Sequence, residues 1–208
     1  MEWTEDLIRR DLLKQRKLLT SEEVSRRSGI IVSRFLETLD SYHLEGLRIG
    51  IYRSLPFEVE LRALEKGLRT RGVQLSYPRM KNSEWIEFVE VPEEKKAEQP
   101  ESWKSGPYGI SEPCPELPAL ELEALDVILV PGVAFGENGE RIGMGKGYYD
   151  RFLTQEPQAL RVALAFDFQV FPNLPQKPTD QPVHWILTEV REWKGMPAED
   201  WLKKRILK

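Results

Sequence analysis

Two periodicities divide this 208-residue chain. Short apolar runs at Leu47 to Tyr52, Val73 to Tyr77, Val127 to Val130, Arg161 to Phe166 and His184 to Thr188 have strand character. The run Val127-Ile128-Leu129-Val130 lacks polar alternation, which suits a parallel strand covered on both faces. Trp85 to Val91 alternates and predicts an antiparallel edge strand. Between the runs, apolar positions recur at helical spacing. Residues 3–19 predict a helix with Leu7, Ile8, Leu12 and Leu19 inward and Arg9, Arg10, Lys14, Arg16 and Lys17 on a basic outer face. Thr20 with Glu23 forms a capping box, and Leu19 with Val24 a hydrophobic staple. The second helix then runs to about Leu39 with Val24, Ile31, Phe35 and Leu39 inward. These two helices read as an αα pair packed on the sheet. A third is predicted from Pro56, where a missing N–H costs nothing, through Phe57, Leu61, Leu64 and Leu68 to a stop at Gly72. Trp201, Leu202 and Ile206 predict a short terminal helix. Strands alternating with helices imply the α/β class: a three-layer αβα sandwich with a mostly parallel, doubly wound sheet, as a single domain over residues 1–208.

The most informative stretch is Asp126 to Leu153, DVILVPGVAFGENGERIGMGKGYYDRFL. Pro131-Gly132 ends the central strand and Asn138-Gly139 marks a turn. Gly143, Gly145 and Gly147 alternate with Met144 and Lys146, and a helix is predicted from near Tyr148. Strand, glycine loop and helix together expose backbone N–H groups to an anion. Glycines let a phosphate approach the backbone closely. A tight structural turn with a surface Lys is the plainer alternative. Arg141, Lys146, Asp150 and Arg151 gathered around the loop favour an anion site. Neither common phosphate fingerprint fits, because Gly147 follows Lys146 and Tyr148 stands where a third dinucleotide Gly belongs.

Glu58 falls just past the first strand, at the sheet edge where open α/β folds bind ligands. Helix-dipole complementarity, worth about 0.3–1 kcal/mol, explains a carboxylate there equally well. The basic face of the first helix is either solvated or lends one or two cations to the glycine loop.

Composition narrows the function. The formal net charge of −4 argues against broad nucleic-acid binding. Cys114 is the single cysteine and His43 and His184 the only histidines, so neither a disulfide framework nor a Cys/His metal site is expected. No signal peptide or membrane-length apolar run is evident, so a cytoplasmic protein is expected. The acidic, polar stretch 92–106 predicts a mobile surface loop.

Pro131-Gly132-x-Ala134-Phe135, followed by Gly139-x-Arg141-Ile142-Gly143-x-Gly145-x-Gly147-Tyr148-Tyr149-Asp150-Arg151, resembles the signature of the 5-formyltetrahydrofolate cyclo-ligase, or methenyltetrahydrofolate synthetase, family. Leu19-Thr20, Tyr52, Glu58-Val59, Pro78-Arg79, Gly109-Ile110-x-Glu112-Pro113, Gln169, Asp180 and Thr188-Glu189 follow in the family order. The resemblance implies conversion of 5-formyltetrahydrofolate to 5,10-methenyltetrahydrofolate. ATP with Mg²⁺ phosphorylates the formyl oxygen, and ADP and phosphate are released. It implies ATP contacts at Arg9, Arg10, Arg141, Ile142, Gly143, Met144, Gly145, Lys146, Gly147, Tyr148 and Tyr149, with Lys146 and Arg141 catalytic. Arg53, Glu58, Tyr108, Met144 and Tyr148 would contact folate, and Asp150 with Asp180 would hold Mg²⁺. The expected partners are small molecules, without nucleic acid or membrane, and the expected state is a monomer.

Some positions depart from the family pattern. Glu5 stands where the family has a cation four residues before Arg9. Gly136 replaces an Asp, Glu60-Leu61 lacks a hydroxyl, Tyr108 occupies the place of a Trp, and Met144 that of Arg or Tyr. These departures motivate a second reading, a non-catalytic or retasked nucleotide- or folate-binding relative. Fold analogy alone would add sugar-phosphate isomerases and CoA-transferases.

Overall fold

The computed structural model describes residues 4–92, 102–156 and 158–204. The side chain of Tyr108, most of the acidic stretch and Ile206 lie outside the described residues. In chain order the elements are α1 (Glu5–Lys17), α2 (Ser21–Leu39), β1 (Arg48–Gly50), α3 (Arg62–Arg69), β2 (Gln74–Met80), β3 (Ile86–Glu90), β4 (Trp103–Ser105) and β5 (Ser111–Pro113). They continue with β6 (Val127–Leu129), β7 (Ala134–Gly136), β8 (Arg141–Ile142), α4 (Tyr148–Thr154), β9 (Leu160–Leu164), β10 (Val170–Phe171), β11 (Trp185–Leu187), β12 (Glu192–Lys194) and α5 (Met196–Lys203).

The main sheet has seven strands in the order β12-β11-β9-β6-β1-β2-β3. Its inner strands pair parallel, whereas β3 and β12 close the edges antiparallel. The unalternating run at β6 is buried throughout, as a two-faced strand requires. Val127 and Leu129 face a cluster built with α2, α3 and α5, while Ile128 and Val130 face Phe152 and Leu153 of α4. The second face therefore carries α4 together with a small sheet, ordered β10-β7-β8, that the sequence pattern did not reveal.

The capping box forms as expected: Thr20 N–H donates to Glu23 at 2.9 Å and Glu23 N–H to Thr20 Oγ1 at 3.1 Å. Three expectations fail. The stretch 92–106 is not loop throughout: Trp103–Ser105 forms β4 and pairs antiparallel with β5. The first two helices do not share one platform: α2 packs on the main sheet, while Ile8 and Leu12 of α1 pack on Val133, Ala134 and Ile142 of the small sheet. The third helix begins at Arg62 rather than at Pro56. Phe57 takes a left-handed φ of 66°, which no helix can contain, so residues 54–61 form a loop whose Val59 and Leu61 are buried by tertiary contact. Helical spacing of apolar residues continued through a segment that is not helical.

Candidate functional site

The strand order reverses at β1, whose neighbours are β2, next in the main sheet, and β6, reached after the chain turns back. Ligands of open α/β folds bind in the crevice beyond the carboxyl ends of strands at such a switch point. The segment leaving β1 there carries Glu58, and the segment leaving β6 carries the glycine loop.

The glycine loop is shaped by its glycines. Gly145 at φ 86° and Gly147 at φ 68° are left-handed, and Gly147 caps α4 without any side-chain hydrogen bond. Among the described residues, the N–H groups of Met144 to Gly147 find no protein acceptor. Lys146 is exposed and makes no ion pair among the described residues. Free amides beside an uncommitted ammonium are what an oligophosphate needs. Since α4 has only seven residues, local amides rather than a long helix dipole supply the positive field.

The other cations have separate tasks. Arg9 Nε donates to the Gly143 carbonyl at 2.8 Å, so α1 does reach the loop. Arg10 does not: it is exposed and pairs with Asp11 at 3.2 Å. Glu5 binds Arg9 at 3.5 Å and Lys177 at 2.6 Å, so a cation with no sequence signal, Lys177, stands beside position 5. Arg151 braces the loop by donating to the Glu84 carbonyl at 2.8 Å and the Lys146 carbonyl at 3.0 Å. Arg141 is buried and held by Asp150 and the Pro131 carbonyl. The Ile142 side chain belongs to the core under α1, so only its backbone can face a ligand. Met144 is exposed, and the Tyr148 hydroxyl donates to Ser83 O at 3.4 Å.

Asp150 accepts from Arg141 and from the Gln181 N–H, at 3.2 Å, on the same oxygen, Oδ1. Its Oδ2 remains available to a cation. Asp180 adjoins Gln181 in the chain, but its carboxylate turns back to the Lys177 N–H at 2.7 Å. Among the described residues, no group of three or more His, Cys, Asp or Glu is arranged to hold a metal ion. Two aspartates completed by water and phosphate oxygens would still match the oxygen preference of Mg²⁺.

Past β1, Arg16 Nη2 forms an ion pair with Glu58 Oε1 at 3.0 Å, and the Leu55 N–H donates to Oε2 at 2.9 Å. The sequence placed Arg16 on a basic face that is either solvated or reaches the glycine loop; it is buried and meets Glu58 instead, because i+4 spacing continues the Ile8–Leu12 stripe to position 16. Tyr149 bridges the halves. Its hydroxyl is buried without a hydrogen-bond partner, and burial holds the phenol well above its usual range; Arg141 opposes that shift and Glu58 adds to it. Burial likewise raises Tyr52, assisted by Glu58 and Tyr149. Tyr149 thus lies within electrostatic reach of both Arg141 and Glu58.

Arg53 pairs with Glu65 at 3.1 Å and lies 3.9 Å above the Trp103 ring. Trp103 also packs edge-on to Tyr77 at 4.8 Å, and burial pushes the Tyr77 phenol up to about 12. The aromatic beside Arg53 among the described residues is thus Trp103; the side chain of Tyr108 lies outside them. Gln169 has a structural role: its amide donates to the Val133 carbonyl at 2.9 Å and clamps the segment after β6. A cavity of about 620 Å³ lies away from these residues, between β3, residues 119–125 and the end of α4. It contains none of them, and the convergence of charge at the switch point is the better guide to chemistry.

A model of the 5-formyltetrahydrofolate cyclo-ligase family matches residues 2–189. The chain is 30% identical over 190 residues to the mouse 5-formyltetrahydrofolate cyclo-ligase, covering 88% of this chain and 92% of that protein. The NMR structure of the Aquifex aeolicus 5,10-methenyltetrahydrofolate synthetase superposes with a TM-score of 0.75 at 32% identity, covering 91% of this chain and 92% of that one. The Mycoplasma pneumoniae 5,10-methenyltetrahydrofolate synthetase has the same fold, with a TM-score of 0.70 at 22% identity over 90% of this chain and 99% of that one. Motif order and fold agree over most of the chain, which belongs to the 5-formyltetrahydrofolate cyclo-ligase family.

Proposed function

We propose that this protein closes 5-formyltetrahydrofolate to 5,10-methenyltetrahydrofolate, consuming ATP to ADP and phosphate. The observation that carries the reading is the meeting of the glycine loop and Glu58 at one switch point, with Tyr149 electrostatically linked to Glu58 and Arg141.

Phosphoryl transfer asks for positioning and charge neutralisation more than for a covalent group. Lys146 and the amides of Met144 to Gly147 would hold the phosphates, and Arg9 with Lys177 would close the far side. Arg141 would act mainly by fixing Asp150, to which it is already bound. The formyl oxygen takes the γ-phosphoryl group; N10 attacks the activated carbon; the C–O bond breaks and the oxygen leaves in phosphate. Glu58 would accept N–H bonds from the pterin, while Trp103, Arg53 and Tyr148 flank it. Asp150 and Asp180 would hold Mg²⁺, which supplies charge neutralisation at the phosphates. The proposal includes action as a cytoplasmic monomer on small molecules; among the described residues no helix is long and apolar enough to cross a membrane.

The test mixes purified protein with 5-formyltetrahydrofolate, ATP and Mg²⁺ at mildly acidic pH and follows the ultraviolet absorbance of the methenyl product. Absorbance no greater than in a protein-free control overturns the proposal.

A further inference from the structure

Arg16 makes two directed contacts to consecutive residues of the loop after β1. Its Nε donates to the Phe57 carbonyl at 3.0 Å, and Nη2 lies 3.0 Å from Glu58 Oε1. Both side chains of the pair are nearly enclosed, with exposures of 5% and 10%. Phe57 is one of two non-glycine residues with positive φ among those described, so the segment that aims Glu58 is backbone-strained. A strained turn persists only where its surroundings over-determine it, and the guanidinium fork supplies that determination. Glu58 Oε1 is ion-paired with Arg16 and Oε2 takes one N–H hydrogen bond from Leu55, which leaves acceptor capacity for a ligand.

Arg16 also shares its helix with Arg9. Seven positions make about two turns, so both project from the same side of α1. Arg9 contacts the glycine loop through Gly143 O, and Arg16 contacts Glu58. One helix thus spans both halves of the site.

We infer that Arg16 is a positioning residue for folate: from α1 it fixes the carboxylate of Glu58 toward the pterin and ties that aim to the helix that touches the glycine loop. This rests on the proposed cyclo-ligase reading. Arg16 is enclosed and spent on Phe57 and Glu58, so its removal should act on folate alone.

The test measures KM for 5-formyltetrahydrofolate and for ATP in Arg16→Met, Arg16→Lys and Glu58→Gln, and in Arg16→Met combined with Glu58→Gln. Nucleotide binding is titrated separately as a check of the fold. The expected result is a folate KM raised at least tenfold in Arg16→Met with the ATP KM within twofold. Arg16→Lys, which keeps the charge but loses the fork, should recover part of the loss. In the Glu58→Gln background, Arg16→Met should change folate KM less than threefold. Equal increases in both KM values, or an unchanged folate KM, would overturn the inference. Arg16→Lys carries the decision if Arg16→Met fails to fold. A wild-type protein without turnover refutes the cyclo-ligase reading itself, an outcome distinct from a wild type that turns over and ignores Arg16.

Discussion

The two halves of the site are held by different means. On the proposed nucleotide side, shape comes from the chain's own backbone: left-handed Gly145 and Gly147, free amides and an exposed Lys146 within a few residues. On the proposed folate side, a non-glycine residue, Phe57, takes the left-handed conformation, and a buried cation 41 residues away holds it there. Backbone amides suit phosphates because every residue supplies one, whereas a pterin needs one carboxylate at one angle. The nucleotide half is therefore locally encoded and solvent-screened. The folate half depends on tertiary structure and is sensitive to single side chains.

That contrast predicts its largest effect at Glu58. Glu58→Gln leaves Arg16 charged and enclosed without its partner, a loss of about 3–5 kcal/mol for a broken buried pair. Denaturant unfolding should register it, together with weaker folate binding and near-normal ATP affinity. A loss below about 1 kcal/mol would mean that the folate half is as solvent-screened as the loop. Lys146→Ala comes next. Its Coulomb contact with phosphate is worth about 4 kcal/mol before desolvation, and exposure reduces the net effect to about 1.5–2.5 kcal/mol, or roughly a 10- to 100-fold rise in the ATP KM. Folate KM and unfolding midpoint should barely move; equal losses of both substrates would make the loop a structural turn. Asp150→Asn should shift the Mg²⁺ titration upward by about tenfold, the scale of a supporting metal contact, and an unchanged titration removes Asp150 from the metal site.

The same division sets what can be read from residues alone. The sheet was legible because fully buried parallel strands are continuous apolar runs, as at Val127 to Val130. The glycine loop was legible because its function lies within one short stretch. The small sheet was not: β8 has two residues and β7 and β10 have three and two, too short for a period to register. Arg16 was misread because a basic residue at a core position looks like part of a charged face until its distant partner is known. Lys177 lies in a proline-rich loop without periodicity, so only folding could bring it to Glu5. Trp103 was passed over because it falls within the polar stretch 92–106, read as a loop, and its partners, Arg53 and Tyr77, lie on separate segments.

A smaller prediction isolates backbone from charge on the nucleotide side. An ideal Cβ at Gly145 would meet nothing nearer than 3.6 Å, the flexible Arg9 guanidinium. Gly145→Ala therefore costs mainly its positive φ, about 1 kcal/mol of stability. Any rise in the ATP KM beyond that factor reports the loss of close phosphate approach. An unchanged ATP KM would shift the weight of binding from the loop's backbone to Lys146 and Arg9.

The smallest effect concerns pH and the brace behind the nucleotide half. Arg161 donates to the Leu153 carbonyl at 2.7 Å and to Gln181 Oε1 at 3.1 Å, joining the end of α4 to the segment that meets Asp150. Its own N–H donates to His184 Nδ1 at 3.2 Å, which requires a ring nitrogen without a proton. Burial lowers His184 from 6.5 to about 4, and the Arg161 charge acts in the same direction. The unfolded chain therefore binds the proton first. Stability is level above about pH 6.5 and falls as pH drops from there toward 4, because protons pull the equilibrium to the unfolded side. With the ring partly reached by solvent, the loss by pH 5 is roughly 1 kcal/mol rather than the full linkage value. His184→Gln, which retains an acceptor for the Arg161 N–H and cannot titrate, should flatten that arm in unfolding measurements across pH 7 to 5. If the variant keeps the wild-type slope, the acid sensitivity originates elsewhere, and the nucleotide half is not braced through this histidine.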